Sequence, residues 1–175
     1  MRGSGPESDI VISSRIRLAR NLADYPFISK ASDRDRGAVE KLLREQVMAI
    51  RDAGALTYLN VGELEGIDRQ FLVERQLISR EHAESHGARG VAIDPGEQVS
   101  VMINEEDHLR MQVMHSGLDL LAAWQRISRL DDLIGQHAVF AYHPTLGFLT
   151  ACPTNVGTGM RVSVMLHLPS LKETR

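Results

Sequence analysis

Apolar and polar positions alternate along this chain with two periods, one near 2 and one near 3.6, and the switches between them mark out its elements. Asp9-Ile10-Val11-Ile12 is rich in β-formers and opens an extended segment that runs through Ser13 to Arg20. Ser32-Asp33 can cap a helix over roughly Arg34 to Asp52, with Val39, Leu42, Leu43, Val47 and Ile50 on one face and Gly54 as its stop. Leu56 to Leu59 reads as a short strand, Gly66 to Gln76 as a helix, and Ser79 to His86 as a shorter one. Val91-Ala92-Ile93 and Gln98 to Ile103 read as strands joined by the turn Asp94-Pro95-Gly96. Leu118 to Ile134 carries Leu120, Ala123, Trp124, Ile127, Leu130 and Ile134 at helical spacing, which predicts a core position for Trp124. Val139 to Tyr142 and Phe148 to Ala151 read as a strand pair around Pro144 and Gly147, and Arg161 to Leu168 alternates like a half-buried strand.

Hairpins interleaved with helices predict an α+β fold, a mostly antiparallel sheet flanked by helices. At 175 residues the chain has enough material for one domain with a substantial core. Met1-Arg2-Gly3-Ser4 reads as an expression remnant. Twenty basic and 23 acidic residues give a net charge of −3, which argues against a nucleic-acid or anionic-membrane binder. No apolar run reaches membrane-span length, and the single cysteine, Cys152, suits a reducing compartment. The expected setting is the cytoplasm.

Three segments carry candidate chemistry. In Ser13-Ser14-Arg15-Ile16-Arg17 an extended backbone projects Arg15 and Arg17 to one side, either as a clamp for polyphosphate oxygens or as a solvated basic edge. Asn104-Glu105-Glu106-Asp107-His108-Leu109-Arg110 packs three carboxylates, a histidine and an arginine into seven residues. A guanidinium acceptor is a poor nucleophile and needs carboxylates to orient it and take its proton, work that Glu105 and Glu106 could do beside Arg110. The same residues could equally form a charged turn capping a helix, or a metal site at Asp107 and His108. In Cys152-Pro153-Thr154-Asn155-Val156-Gly157-Thr158-Gly159-Met160-Arg161 a lone thiol lies in a turn-rich loop shortly before an arginine, a setting that favours thiolate; a small buried cysteine by a tight turn is the alternative. There is no Gly-x-x-x-x-Gly-Lys-Ser/Thr loop, no Gly-x-Gly-x-x-Gly and no Gly-x-Ser-x-Gly elbow. His82 and His86 lack companion ligands and read as surface residues.

Taken in order, Ser13 to Asn21, Glu74 to Ser79, Asn104 to Gln112 and Leu149 to Pro169 resemble the catalytic domain of the phosphagen (guanidino) kinases, most of all the bacterial protein-arginine kinases. The resemblance implies that Ser13, Ser14, Arg15, Ile16, Arg17, Arg110 and Arg161 bind ATP phosphates. It implies that Val162, Ser163, Val164 and Met165 line the nucleotide pocket. Glu106 is then the carboxylate that deprotonates the acceptor, Glu105 assists it, and Cys152 lies next to the substrate guanidinium. Mg²⁺ is implied on the nucleotide, with no dedicated protein ligands. Gln76 stands where a nucleotide-facing histidine is common in the family. Residues 5–175 are expected to be the N-terminal portion of such a catalytic domain, cut before an Arg-Gly-x-x-Gly-Glu segment that relatives carry. The early position of Ser13-Ser14-Arg15, with no helical domain before it, implies a site open to arginine presented by a protein. A small-guanidine kinase fragment, or a silent nucleotide- or phosphoarginine-binding module, are the rival expectations.

Overall fold

The computed structural model describes residues 5–50 and 55–169. The expected remnant at Met1 to Ser4 and the expected helix stop at Gly54 lie outside them. In chain order the elements are β1 (Val11–Arg20), α1 (Asp33–Ala49), β2 (Thr57–Asn60), α2 (Gly66–Glu74), α3 (Arg80–Glu84), β3 (Gly90–Ile93), β4 (Val99–Ile103), β5 (Leu109–Ser116), α4 (Leu120–Gly135), β6 (Tyr142–His143), β7 (Gly147–Phe148) and β8 (Met160–Leu166). Six strands form one sheet in the order β2-β3-β4-β5-β1-β8, with every neighbour antiparallel, and β6 and β7 make a separate hairpin. The α+β expectation holds.

The two faces of the sheet are built differently, and that difference places the site. Ile16 and Leu18 of β1, Val99, Val101 and Ile103 of β4, and Leu109, Met111 and Val113 of β5 point to one face. There they pack against Val39, Leu43 and Val47 of α1 and Ala123, Ile127, Leu130 and Ile134 of α4. Burying one such side chain is worth roughly 1.5–3 kcal/mol, so this layer dominates the stability. On the opposite face a smaller cluster of Leu72, Leu77, Ile78, Val91, Ile93 and Met102 covers only the β3–β4 end. The other face of β5, β1 and β8 is therefore left open beside α2 and α3.

α1 starts where Ser32 was expected to cap it: Ser32 and Asp35 exchange side-chain-to-backbone hydrogen bonds, satisfying two end donors at once. Four expectations need correction. Trp124 is 41% exposed, because Ala123, Ile127, Leu130 and Ile134 already complete the buried stripe of α4 and Trp124 falls beside it. His82 is fully buried and binds the Gly90 carbonyl through Nε2 at 3.1 Å, while its neighbour His86 is exposed. β8 is an edge strand and is largely exposed on both faces, not half-buried. The pair expected at 139–151 shrinks to the short β6–β7 hairpin.

Candidate functional site

Alternation along β1 sorts its residues. Arg15 and Arg17 stand on the open face, opposite Ser163 and Arg161 of β8 and opposite Met114 and Gln112 of β5. Ser14 and Ile16 were expected among the phosphate contacts, but their side chains face the helices. Ser14 Oγ donates to the Gly117 carbonyl at 2.6 Å, and Ile16 lies in the core. By the same pairing Val162 and Val164 stand opposite Ile16 and Ser14, on the helix-side face, whereas Arg161, Ser163 and Met165 share the open face. Ser13, Gln76, Ser163, Val164 and Met165 border a hollow of about 340 Å³ next to the arginines.

The main cleft, about 870 Å³, is lined by Arg15, Arg17, Gln76, Glu105, Glu106 and Arg110, with Ser79 and Gln112 among the remaining walls. Two of its carboxylates, Glu105 and Glu106, come from the β4–β5 turn, and a third, Glu81, comes from α3. Asn104 opens that turn with a positive φ of 59°, a conformation Asn tolerates, and its backbone N–H donates to the His108 carbonyl. Its Nδ2 donates to the carbonyls of Arg36 and Ala88, both at 2.8 Å, pinning the turn to α1 and to the chain before β3.

The two glutamates of the turn have different fates. Glu105 is 7% exposed; its Oε1 accepts from Arg110 Nη1 and from Ser79 Oγ, each at 2.6 Å, and its Oε2 accepts the Glu106 N–H at 2.8 Å. Burial alone would raise its pKa, but the Arg110 ion pair and these hydrogen bonds outweigh burial and hold it below the usual carboxylate range. Glu105 is thus a fixed anchor for Arg110. Glu106 is exposed to the cleft, and burial, Asp107 and Glu105 raise its pKa, so it keeps proton affinity.

The cationic side is under mutual repulsion. Burial, then Arg15, Arg110 and Arg161, lowers the Arg17 pKa to about 10; burial, Arg110 and Arg161 lower that of Arg15. Arg17 Nε is buried without a hydrogen-bond partner, and Arg15 Nε has only Ser163 Oγ at 3.3 Å. No ion pair among the described residues includes Arg15 or Arg17. A surface of this kind is suited to an anion with several oxygens.

Asp107 and His108 are occupied structurally, against the metal-site alternative. Asp107 Oδ1 accepts from Asn21 Nδ2 and, at 2.7 Å, from the Ala151 N–H. His108 Nδ1 accepts the Leu22 N–H at 3.0 Å, and its Nε2 bonds the Pro26 carbonyl. Through Asp107 the turn bearing Glu106 is tied to the residue before Cys152. Cys152 itself is not among the cleft's lining residues. It is half-buried, with Sγ 2.9 Å from Thr154 Oγ1.

The loop after Cys152 is held by Arg20, whose Nη1 donates to the Thr158 carbonyl at 2.9 Å while Nε and Nη2 take both oxygens of Asp131. Its guanidinium lies 3.6 Å from the centre of the Phe148 ring. Gly159, at φ +64°, returns the chain to β8; a Cβ there would meet the Ala19 carbonyl oxygen at 2.5 Å. Sequence reasoning missed Ser79, Gln112, Asn21, Asp107 and Arg20 as site supports. All five lie in the segments that carry the family resemblance, and Ser79 is also the N-cap of α3.

Comparisons with known proteins show which family the chain belongs to. The family model described as ATP:guanido phosphotransferase, C-terminal catalytic domain, matches residues 38–175. The chain is 48% identical to a protein-arginine kinase of Symbiobacterium thermophilum, over 100% of this chain and 50% of that protein. It is 47% identical to a protein-arginine kinase of Halothermothrix orenii, over 98% of this chain and 49% of that one. It therefore spans about half the length of these relatives. Among solved structures, the duplicated taurocyamine kinase from Schistosoma mansoni with bound transition state analog components matches with a TM-score of 0.88 at 28% identity, over 97% of this chain and 25% of that one. A lombricine kinase matches with a TM-score of 0.85 at 24% identity, over 99% of this chain and 52% of that one, a likeness of fold. Given a family model that spans most of its length and relatives close to half identical throughout, this chain belongs to the ATP:guanido phosphotransferase family.

Proposed function

We propose that this chain holds the phosphate-binding and acceptor-activating part of a kinase that moves the ATP γ-phosphoryl group to the guanidinium of arginine side chains in proteins. The observation that carries the reading is the facing of Arg15, Arg17 and Arg110 with Glu106 across one cleft. The unpartnered Arg17 Nε fits a polyphosphate ligand. Arg15, Arg17, Arg110 and Arg161 bind the phosphate oxygens and offset the charge that builds up on them during transfer. Ser13, Gln76, Ser163 and Met165 border the nucleotide's end of the site.

Glu106 orients the acceptor guanidinium and takes its proton, aided by a pKa raised above that of a free carboxylate. Glu105 keeps Arg110 aimed into the cleft. Cys152, which follows the Ala151 bound to Asp107, is assigned as the polarisable sulfur near the acceptor. Mg²⁺, carried on the nucleotide's phosphates, supplies charge neutralisation there; Glu105 is already committed to Arg110 and Ser79. Among the described residues no helix is long and apolar enough to cross a membrane, and we place the enzyme in the cytoplasm with ATP and arginine-bearing proteins as its partners.

The protein substrate follows the names of the relatives, protein-arginine kinase at 48% and 47% identity. The test is ³¹P NMR of the full chain with Mg·ATP and either an unstructured arginine-containing protein or free arginine. An acid-labile phosphoarginine signal with the protein supports the reading. A signal with free arginine alone would overturn the choice of substrate, and none with either would overturn the activity.

A further inference from the structure

Outside the cleft, a cavity of about 520 Å³ lies between α2, α3 and the chain leading to β3, and the reaction makes no use of it. Three arginines, Arg69, Arg80 and Arg89, line it, together with Gly66 at the start of α2. Arg89 is only 5% exposed. Its guanidinium donates to the carbonyls of His82 at 2.9 Å, Gly87 at 3.2 Å and Ala83 at 3.5 Å, three of the five N–H donors an arginine carries. Two donors remain.

Those carbonyls satisfy hydrogen bonds but do not cancel the charge. None of the ion pairs between described residues includes Arg69, Arg80 or Arg89. Burial and the nearby Arg69 lower the Arg89 pKa, as expected of a cation without a counter-ion. Two carboxylates also line the cavity, Glu74 and Glu84, but both belong to exposed residues, as does Arg80, so the buried Arg89 and half-buried Arg69 face only solvated anions. The N-terminus of α2 adds to this sign: Glu65 at its N-cap makes no side-chain cap bond, and nothing lies within 4 Å of where a Cβ on Gly66 would stand. A buried, uncompensated guanidinium, a second arginine and an uncapped helix end thus meet in one cavity. Together they form a receptor for a compact dianion.

We infer that this cavity is a second anion site, distinct from the transfer cleft, that binds a phosphoryl group through Arg69, Arg80 and Arg89. Its volume exceeds what a free phosphate needs, leaving room for the chain that carries one. It shares Val73, Arg80 and Ser85 with the transfer cleft, so an occupant lies against the wall of that site. The inference does not depend on what the cleft transfers.

The test is a ¹⁵N-resolved NMR titration of the full chain with inorganic phosphate, repeated with a phosphoserine peptide and its unphosphorylated form. Saturable shifts are expected at residues 66–70 and 80–89, with affinity falling about tenfold in Arg69→Gln and largely kept in Arg69→Lys. Tighter binding of the phosphopeptide than of phosphate makes a protein side chain the source, and equal binding makes it the free ion; both support the site. Absence of saturation at these residues, equal affinity in Arg69→Gln with a well-dispersed spectrum, or shifts confined to the Arg15–Arg17–Arg110 face would each overturn it.

Discussion

Replacing Arg20 by Met removes a guanidinium that joins three parts of the molecule. It bonds both oxygens of Asp131 on α4, at 3.0 and 2.7 Å, and the Thr158 carbonyl in the loop before β8, and it covers the Phe148 ring. The Arg20 side chain is 4% exposed and that of Asp131 16%, so the substitution leaves a carboxylate mostly out of water without its cation. Removing one partner of a buried pair costs about 3–5 kcal/mol; the residual exposure of Asp131 places the expected loss near the lower end, about 3 kcal/mol. At about 2–4 °C per kcal/mol for a chain of this size, Tm falls by roughly 6–12 °C.

Urea unfolding followed by circular dichroism measures the loss, and the double variant Arg20→Met/Asp131→Leu completes a cycle. Because the second change removes the stranded carboxylate, the double variant should be more stable than Arg20→Met alone. Nucleotide affinity, measured by calorimetry, should fall in Arg20→Met, because the loop that leads into Arg161 loses its tether. A loss under 1 kcal/mol, or a double variant destabilised by the full sum of the singles, would refute the reading of Arg20 as the clamp of this loop.

Glu106→Gln keeps the volume and removes the base: phosphoryl transfer by ³¹P NMR should fall about 10²–10⁴-fold while calorimetric ATP affinity stays within about twofold; loss of ATP binding instead would mean Glu106 contacts the nucleotide. Gly159→Ala puts a Cβ 2.5 Å from the Ala19 carbonyl oxygen at φ +64°, and should cost about 1–3 kcal/mol by urea unfolding. His82 is buried with its pKa lowered from 6.5 to about 4, so the unfolded chain binds its proton first as pH falls. Stability tied to His82 is therefore complete above about pH 6.5 and is lost as pH falls toward 4, by about 3 kcal/mol; urea midpoints over that window should show a flatter decline in His82→Gln.

The elements that sequence made legible are those in which one period dominates. The period-2 alternation of β1 put Arg15 and Arg17 on one side, and the Ser32–Asp35 box marked the start of α1. β5 was missed because Leu109, Met111, Gln112, Val113 and Met114 are buried on both faces and show no alternation. Trp124 and His82 were misplaced for a related reason: whether a position beside an apolar stripe is covered depends on which element lies over it. Glu105 and Glu106 are chemically identical neighbours, and only the turn around Asn104 decides that one meets Arg110 while the other faces the cleft. The supporting contacts of Asp107 and Arg20 reach 44 and 138 residues along the chain, to Ala151 and Thr158, distances that no local pattern spans.

β1 serves two masters at adjacent positions. Its even residues, Ser14, Ile16 and Leu18, belong to the helix-covered interior, and its odd residues, Arg15 and Arg17, belong to the cleft. A single inserted or deleted residue in this strand would exchange the two sets, driving guanidinium groups into the interior and aliphatic ones into the cleft. For this stretch, then, drift in length is closed off as a route of evolution: a lineage can retune the chemistry by substitution at odd positions and the packing at even ones, but it cannot slide one past the other and keep either.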